Sequence, residues 1–394
     1  MPGVPNDSRI RASRRASSFT ESVIREMTRL ADLHGAINLG QGFPDFPAPA
    51  ELKEAAIRAI LEDHNQYPVT FGVPAFREAI AEAYADRYGM SVDPETDICV
   101  TCGSTEAMIA SLLGVLDPGD EVIVFEPFYE NYGSDAILAQ AEPRYVTLHA
   151  PDWDFDEVEL RAAFGPKTRA IIMNTPSNPT GKVFTSAELS VIAQLCQEHD
   201  AIAITDEIYE HIVYDGLRHV PIATLPGMAE RTITISALSK SYAVTGWRVG
   251  WAIAPEALMK GIRTVHDFTT VAAPSPFQMA GITALGLAES YYQEMLDGYS
   301  ARRDTMVKVL DDNGLSTVPP QGAYYMMVDI SKLGLGDDVQ TARRLVEDFG
   351  VATVPGSSFF SVPELGRSTV RIAFCKKLET LEAAGERLQR VTSS

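Results

Sequence analysis

One lysine of this sequence, Lys240, has a setting that suits covalent chemistry. It follows the apolar run 232–235, and small and hydroxyl residues flank it on both sides. A lysine in a desolvated pocket loses its proton more readily than a surface lysine, and it can form a Schiff base with an aldehyde cofactor or a carbonyl substrate. Arg248, which follows closely in the chain, offers a guanidinium fork suited to a phosphate group.

Polar side chains also follow two other strand-like runs. Asp206 and Tyr209 come directly after the apolar run 201–205, and Asn178 follows the run 169–174. Ligands of open α/β sheets bind outside the carboxyl ends of the strands, so these residues are candidates to contact a cofactor. The alternatives are that Asp206 caps a helical turn and that Asn178 belongs to a plain loop of Pro, Asn and Gly.

Two further features favour a ligand with anionic groups. Gly103, Ser104 and Thr105 precede a predicted helix at 106–116, where free N–H groups and the helix dipole favour phosphate, although such residues also cap helices without any ligand. Arg371 lies in the apolar strand 368–374 with no carboxylate close in sequence. A buried arginine is costly without a partner, so a ligand carboxylate is a reasonable partner for it. Together these groups are the parts that a pyridoxal phosphate enzyme needs.

The elements that position these residues alternate between strands and helices, which predicts a large α/β domain with a mixed, mostly parallel, seven-stranded sheet. The last hundred residues predict a smaller α+β domain. We expect an N-terminal arm and part of the small domain in 1–47, the cofactor domain in 48–290, the small domain in 291–394, and a ligand cleft between the domains. The strands are predicted at 98–101, 121–125, 143–148, 169–174, 201–205, 232–235 and 250–254.

Composition excludes several classes of protein. The chain has 394 residues, 53 acidic against 33 basic residues, a net charge of −20 and 45% hydrophobic residues, which is typical of a folded protein and disfavours binding to nucleic acid. The uncharged run 269–288 contains Pro274 and Pro276, so we expect a loop and a buried helix there and no membrane span. The arginines at 9, 11, 14 and 15 faintly resemble a transit peptide, but a flexible arm of a cytoplasmic protein is the favoured interpretation.

The sequence also contains one C-x-x-C pair, Cys99 and Cys102. Its residues lie in a predicted strand, where an offset of three places the side chains on opposite faces, and no second pair completes a metal site. We therefore expect buried thiols and no bound metal.

Several motifs together resemble the class I aminotransferases of the aspartate aminotransferase fold type, which use pyridoxal phosphate. The resemblance rests on the segment 239–250 around Lys240, on Asn178-Pro-Thr-Gly181, on Asp206-Glu-Ile-Tyr209 and on Arg371. Within that family the chain is similar to the kynurenine, glutamine and methionine aminotransferase branch, and the match begins near Phe19. The motifs of that branch are found at 38–47, 65–67, 70–72, 213–216, 225–228 and 320–324.

The resemblance implies a role for each candidate residue. Lys240 would carry the cofactor and move the substrate proton, Asp206 would pair with the pyridine nitrogen, and Tyr209 with Asn178 would bind the ring oxygen. Tyr129 would stack on the ring, and Arg371 would bind the substrate carboxylate beside Asn178 and the N–H of Gly42. The phosphate would be held by Gly103, Ser104, Thr105, Ser239, Arg248 and, from the second subunit of a homodimer, Tyr67.

The sequence departs from the family pattern at a few positions. Ala237 replaces the usual Ser or Gly three residues before the lysine, with Ser236 one place earlier. Ile24 and Val271 stand where that branch has aromatic residues around the substrate side chain, and no motif places a second arginine for a distal carboxylate. The resemblance therefore implies transfer of the amino group of a neutral L-amino acid, such as glutamine, methionine or an aromatic one, to a 2-oxo acid.

Three other functions compete with transamination. The nearest is C–S β-elimination from cysteine conjugates, which uses the same site and which the sequence does not separate from transamination. A non-catalytic regulator that retains the fold is disfavoured because both Lys240 and Arg371 are present. A dinucleotide oxidoreductase is disfavoured because no strand is followed by G-x-G-x-x-G.

Overall fold

The structure is a computed structural model that describes residues 12–13, 15–17 and 22–392. Arg9, Arg11 and Arg14 of the predicted arm lie outside these residues. The helices, in chain order, are α1 Val23–His34, α2 Ala50–Leu61, α3 Pro74–Tyr88, α4 Ser104–Val115, α5 Asn131–Leu138, α6 Glu157–Ala163, α7 Ser186–Glu198, α8 Leu238–Ser241, α9 Glu256–Thr269, α10 Ser275–Leu285, α11 Glu289–Asp312, α12 Asp338–Glu347 and α13 Leu378–Thr392.

The strands fall into three sheets. In chain order they are β1 Ile37–Asn38, β2 Ile98–Thr101, β3 Glu121–Glu126, β4 Glu142–His149, β5 Asp154–Phe155, β6 Thr168–Asn174, β7 Ile202–Asp206, β8 Thr232–Ala237, β9 Gly250–Ile253, β10 Ser316–Thr317, β11 Tyr325–Asp329, β12 Val351–Ala352, β13 Val354–Pro355 and β14 Thr369–Ala373.

The large sheet confirms all seven strands that the sequence predicts and adds the short strand β5 at one edge. Its order is β2-β9-β8-β7-β6-β3-β4-β5. Strands β8, β7, β6, β3 and β4, which are neighbours in that order, run parallel to one another. Strand β9 is antiparallel to both of its neighbours, and β5 is antiparallel to β4. The register places Asn174, Asp206 and Ile235 side by side on β6, β7 and β8. The carboxyl ends of three neighbouring strands therefore bring the predicted polar residues together.

Helices pack against both faces of the large sheet. Strands β2, β3, β7, β8 and β9 are buried along their whole length, as expected of strands covered on both sides. Helices α4 and α9 meet at two glycines, because a Cβ added to Gly261 would lie 2.3 Å from the carbonyl oxygen of Gly114. This backbone contact fixes α4 firmly against α9.

The C-terminal part has its own antiparallel sheet, with the order β10-β11-β14-β13. Arg371 on β14 lies opposite Met327 of β11 and Val354 of β13, which places it in the middle of this sheet. The short strand β1 pairs in parallel with β12, so that residues near 37 join the C-terminal part. The domain boundaries given above stay a prediction.

Two features of the described residues bear on the class of protein. None of the helices in these residues combines the length and hydropathy needed to cross a membrane. The same residues contain no group of three or more His, Cys, Asp or Glu side chains that could hold a metal ion. Cys99 and Cys102 are free thiols, and burial raises the pKa of Cys99 to about 12 and that of Cys102 to about 11.

Candidate active site

A cavity of about 450 Å³ opens where the carboxyl ends of the central strands meet the C-terminal sheet. Of the predicted site residues, Gly103 and Tyr67 are absent from its described lining; Gly103 lies directly beside Arg248, whereas Tyr67 is 85% exposed elsewhere on the surface. The predicted residues that line the cavity are Gly42, Ser104, Thr105, Tyr129, Asn178, Asp206, Tyr209, Ser239, Lys240, Arg248 and Arg371.

Lys240 projects into this cavity from the short helix α8, directly after β8. Its Nζ donates a hydrogen bond of 3.3 Å to the carbonyl oxygen of Gly42. The same Nζ lies 5.8 Å from the centroid of the Tyr209 ring and 5.6 Å from that of Tyr324. The amine is thus held by one carbonyl and two ring faces, with no carboxylate as an ion-pair partner among the described residues, and this leaves it available to react.

Asp206 is a buried carboxylate at the end of β7. Burial raises its pKa to about 6, although a hydrogen bond from Tyr132, one from the Ile208 N–H and the charge of Lys240 each lower it. The Tyr132 hydroxyl donates to Oδ2 over 2.9 Å, and the Ile208 N–H donates to Oδ1 over 3.2 Å. These bonds fix the orientation of the carboxylate, and a cation bound in the cavity would stabilise its ionised form.

Tyr209 and Asn178 lie on either side of the same space. The Tyr209 hydroxyl donates to the Tyr325 hydroxyl over 3.2 Å, and burial raises the pKa of Tyr209 well above its usual value. Asn178 donates its backbone N–H to Asn174 Oδ1 over 2.6 Å, while its own Oδ1 accepts a bond from Arg371. Both side chains are therefore positioned by other polar groups before any ligand binds.

The start of α4 and Arg248 form a cradle suited to an anion. Gly103 has a φ of 82° and precedes the helix, whose first N–H groups have no partner within the helix itself. A Cβ on Gly103 would lie 2.4 Å from Arg248 Nη2, so only glycine admits the guanidinium here. Ser239 Oγ is buried without a hydrogen-bond partner among the described residues, as expected of a donor that awaits a ligand.

Ala237 contributes no hydroxyl to this cradle. Ser236, the neighbouring serine, donates its Oγ to Glu210 Oε1 over 2.9 Å and does not line the cavity. Because successive side chains of a strand point to opposite faces, Ser236 of β8 cannot replace a hydroxyl at 237.

Arg371 is a buried cation with no anionic partner among the described residues. It is 1% exposed, and its guanidinium carbon lies 4.4 Å from the Tyr325 ring centroid. Nη1 donates to Asn178 Oδ1 over 2.8 Å, Nη2 donates to the Gly40 carbonyl, and Nε has no partner among the described residues. None of the ion pairs in this part of the chain includes Arg371. A buried guanidinium held only by neutral acceptors is suited to a ligand carboxylate.

Several residues of the site are not among those that the sequence predicts. Tyr132 lies on α5, three residues after Tyr129, which precedes the helix. Asn174 was the last residue of a predicted strand, and its Nδ2 donates to the Asp206 carbonyl over 2.8 Å. Tyr325 carried no motif signal, because its role depends on a strand distant in sequence. The cavity lining also includes Ser22, Arg25 and Glu130.

Comparison with known proteins agrees with this geometry. The family model described as aminotransferase class I and II matches residues 34–388. A relative named probable N-succinyldiaminopimelate aminotransferase, from Mycobacterium tuberculosis, is 39% identical over 95% of this chain and 97% of its own length. The solved structure of the N-succinyldiaminopimelate aminotransferase of that organism has a TM-score of 0.94, with 97% of this chain and all of that one covered.

Two further relatives carry other names. Kynurenine–oxoglutarate transaminase 1 of Homo sapiens is 36% identical over 93% of this chain and 94% of its own length. The methionine aminotransferase of Escherichia coli is 36% identical over 94% of this chain and 96% of its own length. A solved Escherichia coli structure with a methionine aminotransferase function has a TM-score of 0.92, a sequence identity of 35%, and covers 97% of this chain and all of its own.

Proposed function

The chain belongs to the class I and II aminotransferases, a pyridoxal-phosphate-dependent family, and we propose that the cavity around Lys240 is where it transfers the α-amino group of a neutral L-amino acid to a 2-oxo acid. The observation that carries the proposal is the buried Arg371, which faces the same cavity as Lys240 and has no ion pair within the described residues. An amino acid brings both groups that these residues need, a carboxylate and an amine.

The residues around the cavity fit pyridoxal phosphate. When bound, this cofactor supplies an aldehyde carbon that takes up the amino group and a protonated ring that withdraws electrons from the substrate α-carbon. The N–H groups of Ser104 and Thr105, the unpartnered hydroxyl of Ser239 and the guanidinium of Arg248 would hold the phosphate. Gly103 admits Arg248 to that position because it has no Cβ.

The opposite end of the cavity would hold the ring. Asp206, oriented by Tyr132, would keep a proton on the ring nitrogen, because a buried carboxylate is stabilised by a cationic partner. Tyr129 would stack on the ring, while Tyr209 and Asn178 would donate to its oxygen. Each of these side chains lines the cavity.

Lys240 and Arg371 would act on the substrate itself. Lys240 Nζ would hold the cofactor and, as a free amine, would take the proton from the substrate α-carbon. Arg371 would bind the α-carboxylate through two parallel hydrogen bonds, beside Asn178 and the N–H of Gly42. Holding both groups of the amino acid fixes the α-carbon close to the base.

The preference for a neutral amino acid is supported by one lining residue and by two relatives. Ile24 is an apolar residue of the cavity lining, and two of the relatives are named for methionine and kynurenine. Val271 is not among the described residues that line the cavity, and it is 43% exposed on the surface of the single chain.

We also propose a cytoplasmic homodimer. Tyr67 is 85% exposed and does not line the cavity of its own chain, which supports its assignment to the phosphate of a second subunit. Exposed Leu61 and Val69 accompany it, and apolar residues of this kind are suited to an interface. The four cysteines are all free, as is usual in a reducing compartment.

The predicted domain division also belongs to this proposal. The cavity is lined by Ile24 and Gly42 from the segment 1–47, by Lys240 from 48–290, and by Tyr325 and Arg371 from 291–394. A cavity lined by all three segments supports a cofactor domain and a smaller domain with a cleft between them.

The test is a half-reaction with a panel of L-amino acids. The purified protein is loaded with pyridoxal phosphate, each amino acid is added without an oxo acid, and the released oxo acid, pyruvate and thiol are assayed. We expect conversion of the cofactor to its amino form, reversal by a 2-oxo acid, and no conversion in Lys240→Ala. Lys308→Ala, which removes an exposed lysine paired with Asp312, is the matched control. Release of pyruvate and thiol without conversion would instead favour the β-lyase.

A further inference from the structure

A buried ion pair lies behind the phosphate cradle and has no part in the chemistry described above. His266 of α9 is fully buried, and its Nδ1 lies 2.7 Å from Oε1 of Glu106, the third residue of α4. Its Nε2 lies 2.9 Å from the carbonyl oxygen of Thr70. The other carboxylate oxygen of Glu106 accepts the backbone N–H of Cys102. The pair therefore joins α9, the start of α4 and the segment that contains Thr70.

The geometry favours a positively charged His266. The Thr70 carbonyl oxygen can only accept a hydrogen bond, and the same holds for Glu106 when it is ionised, so beside the ionised carboxylate both ring nitrogens carry protons. Burial alone would lower the pKa of His266, but the hydrogen bond to Glu106 and the charge of that carboxylate raise it overall. Burial likewise opposes ionisation of Glu106, whose pKa is nevertheless lowered by its bond to His266.

The position of Glu106 creates an electrostatic conflict. It follows Ser104 and Thr105 in the first turn of α4, where a helix stabilises anions. A carboxylate at this place also repels the phosphate that the same turn would bind. Yet an acceptor is needed at this place, because Glu106 accepts the backbone N–H of Cys102, and the carbonyl oxygen of the same residue accepts a bond of 3.5 Å from Arg248 Nη2. Glu106 thus holds the backbone of the residue whose carbonyl oxygen contacts Arg248.

We propose that His266 is a positioning residue whose positive charge neutralises Glu106, so that this carboxylate can hold the cradle without repelling the cofactor phosphate. The inference rests on the proposed function, since it takes pyridoxal phosphate as the ligand of the cradle. The close contact of α4 and α9 at Gly114 and Gly261 keeps the imidazole in place.

The test compares His266→Asn, Glu106→Gln and the double variant, each as the loaded enzyme. His266→Asn retains a hydrogen-bond donor to Glu106 but removes the charge, so the dissociation constant of pyridoxal phosphate should rise about tenfold. Glu106→Gln keeps an acceptor for the Cys102 N–H and allows a neutral His266, so its constant should stay within about twofold of the parent. The double variant should recover most of the affinity that His266→Asn loses.

Charge balance and mere packing predict different results for the double variant. If His266 only fills space, the double variant should bind the cofactor no better than His266→Asn, and that result would overturn the inference. Should His266→Asn fail to fold, Glu106→Gln decides alone, because a tenfold loss in that variant contradicts the role assigned to the charge. Glu256→Gln, which breaks an exposed ion pair with Lys260 on the same helix, is the control. A parent protein that binds no pyridoxal phosphate would refute the proposed function instead.

Discussion

Replacing Arg371 with leucine should weaken catalysis with amino acids selectively. Arg371 is 1% exposed, and its hydrogen-bond acceptors are the neutral oxygens of Asn178 and Gly40. Because the described residues offer it no ion pair, a bound carboxylate would be its charged partner. Removing one member of a buried, hydrogen-bonded charge pair costs about 2 to 5 kcal/mol. At about 1.4 kcal/mol for each factor of ten, this predicts a fall in kcat/KM of about 30-fold to 4000-fold.

The assay compares an amino acid with the amine that has the same side chain but no carboxylate. The parent enzyme should prefer the amino acid strongly, and Arg371→Leu should lose most of that preference while its rate with the amine changes little. Arg371→Lys keeps the charge but not the fork, so we expect a smaller loss. Arg367→Leu is the matched control, because Arg367 is nearby in sequence but exposed and paired with Glu364. If both substrates lost rate equally, Arg371 would not be the carboxylate clamp.

Three other changes have definite expected results. Tyr132→Phe removes a donor that lowers the pKa of Asp206, so the acid limb of the pH profile of kcat should move to higher pH by about one unit, as a pH series would show. Gly42→Ala places a Cβ 1.8 Å from the Tyr325 hydroxyl oxygen, so kcat/KM should fall about 100-fold while the protein still folds, as activity and circular dichroism would show. Burial raises the pKa of Asp135 to about 7, so the folded state retains a proton that the unfolded state releases, and the stability from this neutral carboxyl is lost as the pH rises from about 4 through about 7. Asp135→Asn should therefore match the parent near pH 4 and exceed its free energy of unfolding by up to about 4 kcal/mol near pH 8, as urea denaturation would show.

The large sheet could be predicted from the sequence because each of its longer strands has a local sequence pattern. Buried parallel strands form short continuous apolar runs between turns, and the seven predicted runs all became strands. The two-residue strand β5 has too few residues to give such a signal. The parallel pairing of β1 with β12 joins residues 37–38 to 351–352, and nothing in either short segment indicates its partner.

The candidate site was predictable where residue type and strand end coincide. Lys240 and Asp206 each follow an apolar strand, and that position alone marks them as candidates. Tyr132 and Tyr325 could not be assigned because their roles depend on hydroxyl contacts made across the fold, with Asp206 and Tyr209 respectively. The sequence also could not show which way the Ser236 hydroxyl points. In the structure it donates to Glu210, so it does not contribute to the phosphate cradle.

The proposed function requires that Lys240 carries pyridoxal phosphate and that a neutral L-amino acid releases it. Borohydride reduction of the loaded enzyme, followed by peptide mass spectrometry, tests this requirement most directly. We expect the pyridoxyl label on Lys240 before amino acid is added, its loss after addition of the amino acid alone, and its return when a 2-oxo acid follows. A label on another lysine, or a label on Lys240 that no amino acid displaces, would contradict the account.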